Sequence, residues 1–368
     1  MDFIDLKTQR DIIKPKLDRR LARIFDSCQF IMGPEVTELD KALAEFIGVR
    51  HAISLSSGTD ALLLALMALG VKPGDEVITT PFTFFATAEV VSLLGATPVF
   101  VDIDQDTFNI DPTRIEGAIT EKTKAIIPVS LYGQCAEMDS INRIAAARGI
   151  PVIEDAAQSF GAEYKGKKSC GLSAIGCASF FPSKPLGCYG DGGACFTDDD
   201  RLADTLRQLL NHGQDRRYNH PLIGTNARMD TIQAAVLLEK LAIFPDEVKA
   251  RARIGSRYSQ LLDGAVATPV IAPGNTHVYA QYTIRTRNRD QTQQELSKMG
   301  IPTAVHYPVP LHRQPAYAHL GLGEGAFPVA EAMAGEVISL PMHPYLSDKD
   351  MDLVVAGVKE TCKSGDRA

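Results

Sequence analysis

Lys184 closes the apolar run Ser179-Phe180-Phe181-Pro182-Ser183 and precedes the glycine-rich stretch Gly187-Cys188-Tyr189-Gly190-Asp191-Gly192-Gly193. One amine in that setting suggests a lysine held in a site, because a solvated lysine needs no such surroundings. A nucleophilic lysine must be partly neutral, and desolvation or a neighbouring cation lowers its pKa enough. The chemistry this allows is imine formation with an aldehyde. An imine-forming cofactor carrying a phosphate and a pyridine ring would require a phosphate cradle and a carboxylate for the ring nitrogen.

Both candidates lie upstream. Ser56-Ser57-Gly58-Thr59-Asp60 sits between an expected strand and an expected helix. Glycine allows close backbone approach, and the open amides and dipole of a helix start favour an anion. The same run also reads as an ordinary strand-to-helix turn with a Ser or Thr cap. Ile153-Glu154-Asp155-Ala156-Ala157-Gln158 ends an apolar strand on carboxylates. Ligands gather at the carboxyl ends of strands in open α/β sheets. A carboxylate there can pair with a protonated ring nitrogen and strengthen an electron sink, or it can cap a helix. Lys184 follows Asp155 by twenty-nine residues.

The elements that must position these groups are legible as alternation. Val36, Leu39, Leu43, Phe46 and Ile47 recur at helical spacing and stop at Gly48. Strands are expected at His51–Leu55, Glu76–Thr80, Pro98–Ile103, Ala125–Leu131, Pro151–Glu154, Ala178–Phe181 and Ala194–Thr197. Helices are expected between them at Thr59–Leu69, Ala86–Leu94, Pro112–Ile119 and Met138–Arg148, the third opened by Asp111 as cap and Pro112 in the first turn. This order predicts a mostly parallel sheet covered on both faces. A long helix is expected from Asp230 into the charged segment Asp246–Arg257. Strand-like pieces at Tyr279–Thr286 and Thr303–His306 and a helix at Gln291–Lys298 follow, with a loop at Tyr307-Pro308-Val309-Pro310-Leu311. The change of pattern places a large domain at 1–245 and a smaller α+β domain at 246–368.

Composition narrows the function. The chain has 368 residues, 45% hydrophobic and 23% charged, enough for a sizeable core. A net charge of −7 argues against nucleic-acid binding. No apolar run reaches membrane-span length, and the N-terminus lacks a signal pattern, so a cytoplasmic location is expected. The seven cysteines do not suggest a disulfide framework. Cys170, Cys177, Cys188 and Cys195 are spaced by seven, eleven and seven, unlike the close pairs of a structural zinc site. No metal is expected. No Walker or dinucleotide glycine fingerprint is present, which speaks against a plain dehydrogenase.

Taken together, the pieces Gly33-Pro34-Glu35-Val36, Ser57-Gly58-Thr59-Asp60-Ala61-Leu62, Glu154-Asp155-Ala156-Ala157-Gln158, Ser179-Phe180-Phe181-Pro182-Ser183-Lys184, Gly190-Asp191-Gly192-Gly193 and Asn226-Ala227-Arg228-Met229-Asp230 resemble the DegT/DnrJ/EryC1 family of sugar aminotransferases. The resemblance implies the fold type I, aspartate aminotransferase-like architecture, with pyridoxal 5'-phosphate as cofactor. It implies that Lys184 forms the imine and shuttles a proton, that Asp155 pairs with the pyridine nitrogen, and that Gln158 lies near the phenolic oxygen. Phe84 takes the place of the ring-stacking aromatic. The resemblance further implies that Ser57, Gly58, Thr59 and Ser179 hold the phosphate and that Asn226 reaches it from the second subunit of a homodimer with shared active sites. Lysine at 184, rather than histidine, implies transamination rather than the family's dehydration branch.

His212–Tyr218, Tyr279–Thr283 and Thr303–Pro308 resemble a narrower branch that acts on a sugar acid. It implies UDP-2-acetamido-2-deoxy-3-oxo-D-glucuronate as acceptor and L-glutamate as donor, in O-antigen lipopolysaccharide synthesis. Arg228, His306 and Tyr307 become the substrate-binding candidates. A guanidinium matches a carboxylate bidentately, but Arg228 reads equally as a structural ion pair or as the clamp for the donor's carboxylate. Another 3- or 4-keto sugar linked to UDP or dTDP is the alternative acceptor, and a cofactor-binding regulator without turnover is the alternative class.

Overall fold

The computed structural model describes residues 1–365 of the 368. Helix α1 (Leu6–Ser27) is capped by the Asp5 carboxylate, which accepts from the Lys7 and Thr8 amides. It carries Pro15 inside and has no counterpart among the expected elements. Helix α2 (Pro34–Ile47) starts on a proline and ends at Gly48, whose φ of +86° is the left-handed conformation that favours glycine.

Strands and helices then alternate as β1 (His51–Leu55), α3 (Gly58–Ala68), β2 (Glu76–Thr79), α4 (Ala86–Leu93), β3 (Thr97–Phe100), α5 (Pro112–Ala118), β4 (Thr123–Ile126), α6 (Met138–Ala146) and β5 (Ile153–Asp155). A short hairpin of β6 (Glu163–Tyr164) and β7 (Lys167–Lys168) precedes β8 (Ile175–Ser179), β9 (Gly193–Thr197) and α7 (Asp200–Leu209). β3, β2 and β4 pair in parallel, and parallel bridges Ile126↔Val152 and Val129↔Asp155 join β4 to β5. β5 pairs in parallel with β8, while β9 runs antiparallel between β8 and β1. The result is one mixed sheet in the order β3-β2-β4-β5-β8-β9-β1.

Period-two alternation splits the sheet's side chains between two cores. Ile53, Leu55, Cys177 and Cys195 face one, with α3 and α7. Ala52, Ala178, Ala194 and Phe196 face the other, with α2 and α8 (Thr231–Leu241). The Cys177 and Cys195 sulfurs lie 4.0 Å apart across β8 and β9 as core groups. Among the described residues no cluster of His, Cys, Asp and Glu could hold a metal, and no helix is long and apolar enough to cross a membrane.

Several expectations are corrected. The helix expected from Asp230 through Arg257 is two helices, α8 and α9 (Phe244–Leu262). Pro245 opens α9, where its missing N–H costs nothing, but it cannot continue α8. No strand forms over Thr303–His306. Pro302 and Pro308 flank that stretch, and the chain meets its neighbour only through the bridge Ala304↔Ser339. Several strands are shorter than their apolar runs: β4 stops at Ile126, and 127–131 continue buried towards the site.

The rest of the chain comprises β10 (Tyr282–Arg285), α10 (Arg289–Lys298), α11 (Pro328–Glu336), β11 (Val337–Leu340) and α12 (Asp348–Gly365). β10 and β11 form an antiparallel pair whose residues pack with Tyr258, Leu296 and Val354. Helix α9 contributes to two cores, with Phe244 against Phe160 at one end and Ile254 and Tyr258 in the other cluster.

Candidate active site

The site residues leave the carboxyl ends of parallel strands. Ser57–Thr59 follow β1, Thr83–Thr87 follow β2, Asp155 ends β5 and Ser179 ends β8. They meet in a cavity of about 470 Å³ lined by Ser57, Gly58, Thr59, Phe84, Asp155, Gln158, Ser179, Lys184, His306 and Tyr307. Ten of the twelve residues expected at the site are thus brought together.

Lys184 sits on a tight turn closed by its amide donating to the Phe181 carbonyl at 2.8 Å. Among the described residues its Nζ makes no hydrogen bond or ion pair. Desolvation pushes the amine's pKa below its ordinary value, and the nearby Asp155 charge only partly opposes this. The cavity that encloses the amine, rather than the half-exposed Phe181 before it, is what favours its neutral form over that of a solvated lysine.

Asp155 is buried. Burial raises its pKa, against the Thr87 hydroxyl, the Ala157 amide and the Lys184 charge. The Thr87 hydroxyl donates to Oδ2 at 2.8 Å, and the Ala157 amide donates to Oδ1 at 3.2 Å. Glu154, one residue earlier, points away into a buried set of donors. It accepts from the Ser169 hydroxyl at 2.7 Å and the Cys170 amide at 2.8 Å, and burial raises its pKa to about 7.

The turn before α3 is shaped for an anion. A Cβ on Gly58 would meet the Ser179 Cβ at 2.6 Å, and one on Gly193 would meet the Ser57 carbonyl oxygen at 2.3 Å. Only glycine fits this close approach. Ser57 caps α3 by accepting from the Asp60 amide at 3.0 Å, while its hydroxyl donates to Asp60 Oδ2 at 2.8 Å. Its hydroxyl proton is therefore engaged inside the protein. The amides of Gly58 and Thr59 have no partner among the described residues and sit at the positive end of the helix.

On the other wall, the Gln158 amide bridges the Tyr132 backbone N–H and the Tyr307 hydroxyl. The Tyr132 hydroxyl donates to the His306 carbonyl, tying the 306–307 segment to the sheet. His306 Nδ1 contacts the Ser339 hydroxyl at 3.0 Å, and burial followed by the Lys184 charge lowers the ring's pKa to about 4, so it is neutral. Phe84 is exposed at the cavity mouth, its ring 6.1 Å from that of Tyr307.

Asn226 and Arg228 lie elsewhere. They line an adjacent pocket of about 410 Å³ with Ser56, Asp230 and Ile31, and Asp191 touches both cavities. Being two apart in an extended run, they share one side while Ala227 is buried. The Arg228 Nη1 donates to Asn211 Oδ1 at 2.5 Å, and its Nε is buried without a partner.

The donor set fits pyridoxal phosphate: open amides for its phosphate, a desolvated amine for its aldehyde and a buried carboxylate for its ring nitrogen. The residues missed from sequence are Thr83, Thr87 and Gln281, which line the same cavity, and Tyr132, which ties its wall. The threonine signal was available, two hydroxyls four residues apart in Phe82-Thr83-Phe84-Phe85-Ala86-Thr87, a stretch singled out only for its aromatic.

Comparison with known proteins agrees with this chemistry. The chain is 56% identical over 359 residues to the UDP-2-acetamido-2-deoxy-3-oxo-D-glucuronate aminotransferase of Pseudomonas aeruginosa, covering 97% of this chain and 99% of the relative. A DegT DnrJ EryC1 StrS aminotransferase from Brucella abortus superposes with a TM-score of 0.94 at 45% identity, covering 98% and 99% of the two chains. The PLP-form of the putative sugar aminotransferase Spr1654 from Streptococcus pneumoniae gives 0.88 at 29%, covering 94% and 96%. Residues 11–359 match the model of the DegT/DnrJ/EryC1/StrS aminotransferase family. The chain belongs to that family, with the fold type I architecture, and is a pyridoxal-phosphate-dependent aminotransferase.

Proposed function

We propose that this protein moves an amino group from L-glutamate to a UDP-linked 3-oxo sugar acid, UDP-2-acetamido-2-deoxy-3-oxo-D-glucuronate, for O-antigen synthesis in the cytoplasm. The observation that carries the sugar-acid reading is Arg228. Its buried Nε lacks a partner, its Nη1 meets only a neutral amide, and no carboxylate pairs with it among the described residues. A cation left this way favours an anionic ligand. The similarity to a uronate aminotransferase supports the same choice.

Bound pyridoxal phosphate supplies the electron sink that stabilises a carbanion at the amino-bearing carbon. The protein supplies position and proton transfer. The open Gly58 and Thr59 amides, with Ser57 and Ser179, would hold the phosphate, and Ser57 also caps the helix that presents those amides. Asp155 would pair with the ring nitrogen and favour its protonated form, Gln158 would lie near the phenolic oxygen, and Phe84 would cover the ring. The Lys184 amine carries the proton between donor and acceptor carbons, a role its lowered pKa suits. His306 and Tyr307 face the sugar.

Asn226 and Arg228 line a pocket separate from the Lys184 cavity, beside exposed Phe30, Ile31 and Met32. This arrangement supports a homodimer in which Asn226 completes the partner's phosphate site. Residues 1–245 are taken as the large domain and 246–368 as the small one.

The test is a coupled assay of 2-oxoglutarate release from glutamate with several keto nucleotide sugars. Turnover of the 3-oxo-glucuronate compound is expected. Turnover of a neutral 3- or 4-keto sugar alone would sink the sugar-acid assignment and leave transamination standing. No turnover with any acceptor would favour a regulator.

A further inference from the structure

We propose that Thr83 and Thr87 form a two-hydroxyl relay that fixes the Asp155 carboxylate for its pairing with the cofactor's ring nitrogen. Both are positioning residues, and the proposal rests on the reading of Asp155 as that partner.

The direction of the relay follows from proton counting. The Thr87 Oγ1 lies 2.8 Å from Asp155 Oδ2, and an ionised carboxylate can only accept. The single hydroxyl proton of Thr87 is therefore spent on Asp155. The Thr83 Oγ1 lies 3.2 Å from the Thr87 Oγ1, so Thr83 must be the donor in that contact. Asp155 is then held at both oxygens, by Thr87 at Oδ2 and by the Ala157 amide at Oδ1, while its own amide donates to the Pro128 carbonyl at 2.9 Å.

Neither hydroxyl has another structural task. The N-cap of α4 is Phe85, which makes no side-chain cap bond, and among the described residues the two hydroxyls bond only to each other and to Asp155. Both are buried and both line the Lys184 cavity, Thr83 in the bend that precedes α4 and Thr87 in the helix's first turn. Burial raises the carboxyl's pKa, and the Thr87 hydroxyl opposes it more than any other group. A carboxylate oxygen stripped of that donor favours the neutral acid, which cannot pair with a protonated nitrogen.

The test uses the full chain, stripped and reloaded with pyridoxal phosphate, and reads the dissociation constant by equilibrium dialysis beside the melting temperature of the stripped protein. Thr87→Val is expected to weaken binding about tenfold or more, the loss typical of a hydrogen bond to a charged group. The stripped protein's melting temperature should hold, and Thr87→Ser should restore affinity. Thr83→Val should weaken binding less, and the double variant should be no worse than Thr87→Val, because Thr83 acts through Thr87. Native affinity in Thr87→Val, or equal weakness in Thr87→Ser, overturns the relay. If Thr87→Val does not fold, native affinity in Thr83→Val overturns it instead. Asp155→Asn separates the two ideas: native affinity there removes the ring-nitrogen reading itself, whereas loss there with an intact Thr87→Val removes the relay alone.

Discussion

Gln158 donates from Nε2 to the Tyr307 hydroxyl at 3.0 Å while its Oε1 accepts from the Tyr132 amide at 2.8 Å. The backbone N–H fixes which end of the amide is oxygen, so the nitrogen must face Tyr307. The side chain thereby ties the segment at 307 to the loop that follows β4. Gln158→Leu strands the buried Tyr132 amide, at about 1–3 kcal/mol. A lower melting temperature of the stripped protein is expected, along with a weakened acceptor KM. An unchanged melting curve would show that the Tyr132 amide finds another partner.

Lys184→Ala should abolish transamination, a loss on the order of 10³-fold or more for a positioned proton carrier. It should also remove the borohydride-reducible chromophore. The stripped variant should be no less stable, since a desolvated amine without a hydrogen bond is lost. A chromophore still fixed by borohydride would assign the imine to another lysine.

Gly58→Ala forces a Cβ to within 2.6 Å of the Ser179 Cβ. Overpacking of this kind costs about 1–3 kcal/mol. It should appear chiefly as weaker cofactor binding, because the clash lies in the cradle. Native cofactor affinity in this variant would contradict the assignment of the Gly58 turn.

Arg228→Ala should lower kcat/KM for the uronate about tenfold or more, as for a charged hydrogen bond worth roughly 1.5–3 kcal/mol. A neutral keto sugar should be affected much less. An equal loss on both acceptors, with the effect following the glutamate half-reaction, would assign Arg228 to the donor.

Glu154 gives a pH prediction. Its pKa is about 7 in the folded chain against an ordinary 4.5, so the folded state holds the proton more tightly than the unfolded one. Its stabilising contribution is present below pH 4.5 and is lost as pH rises towards 7. Melting curves from pH 4.5 to 7 should show the native protein losing stability relative to Glu154→Gln, by an amount on the order of 3 kcal/mol at about 1.4 kcal/mol per pH unit. Parallel curves would mean that Glu154 ionises normally.

Much of this site was legible because its signals are local. Lys184, Asp155 and Gly58 each stand at a strand end or helix start that apolar periodicity marks. Alternation also carried the sheet through β9. What escaped was of two kinds. Thr87 matters only because β2 and β5 are brought near each other in the sheet, a relationship sixty-eight residues apart in sequence. The break between α8 and α9 depended on Pro245 starting a helix, where proline is tolerated, so helical spacing alone joined the two. The bond from the Ser57 hydroxyl to Asp60 likewise exists only once the first turn of α3 brings the two side chains together.

Asn226 stands on an open surface, outside the cavity that holds Lys184. In the proposed dimer, two different disabled proteins can therefore repair each other. Lys184→Ala keeps a sound Asn226, and Asn226→Asp, which sets a negative charge against the phosphate, keeps a sound Lys184. Subunit exchange between equal amounts would build hybrids with one undamaged centre, about a quarter of all centres at random pairing. Activity regained by mixing is a genetic kind of readout, and a single chain that held its whole centre could never give it.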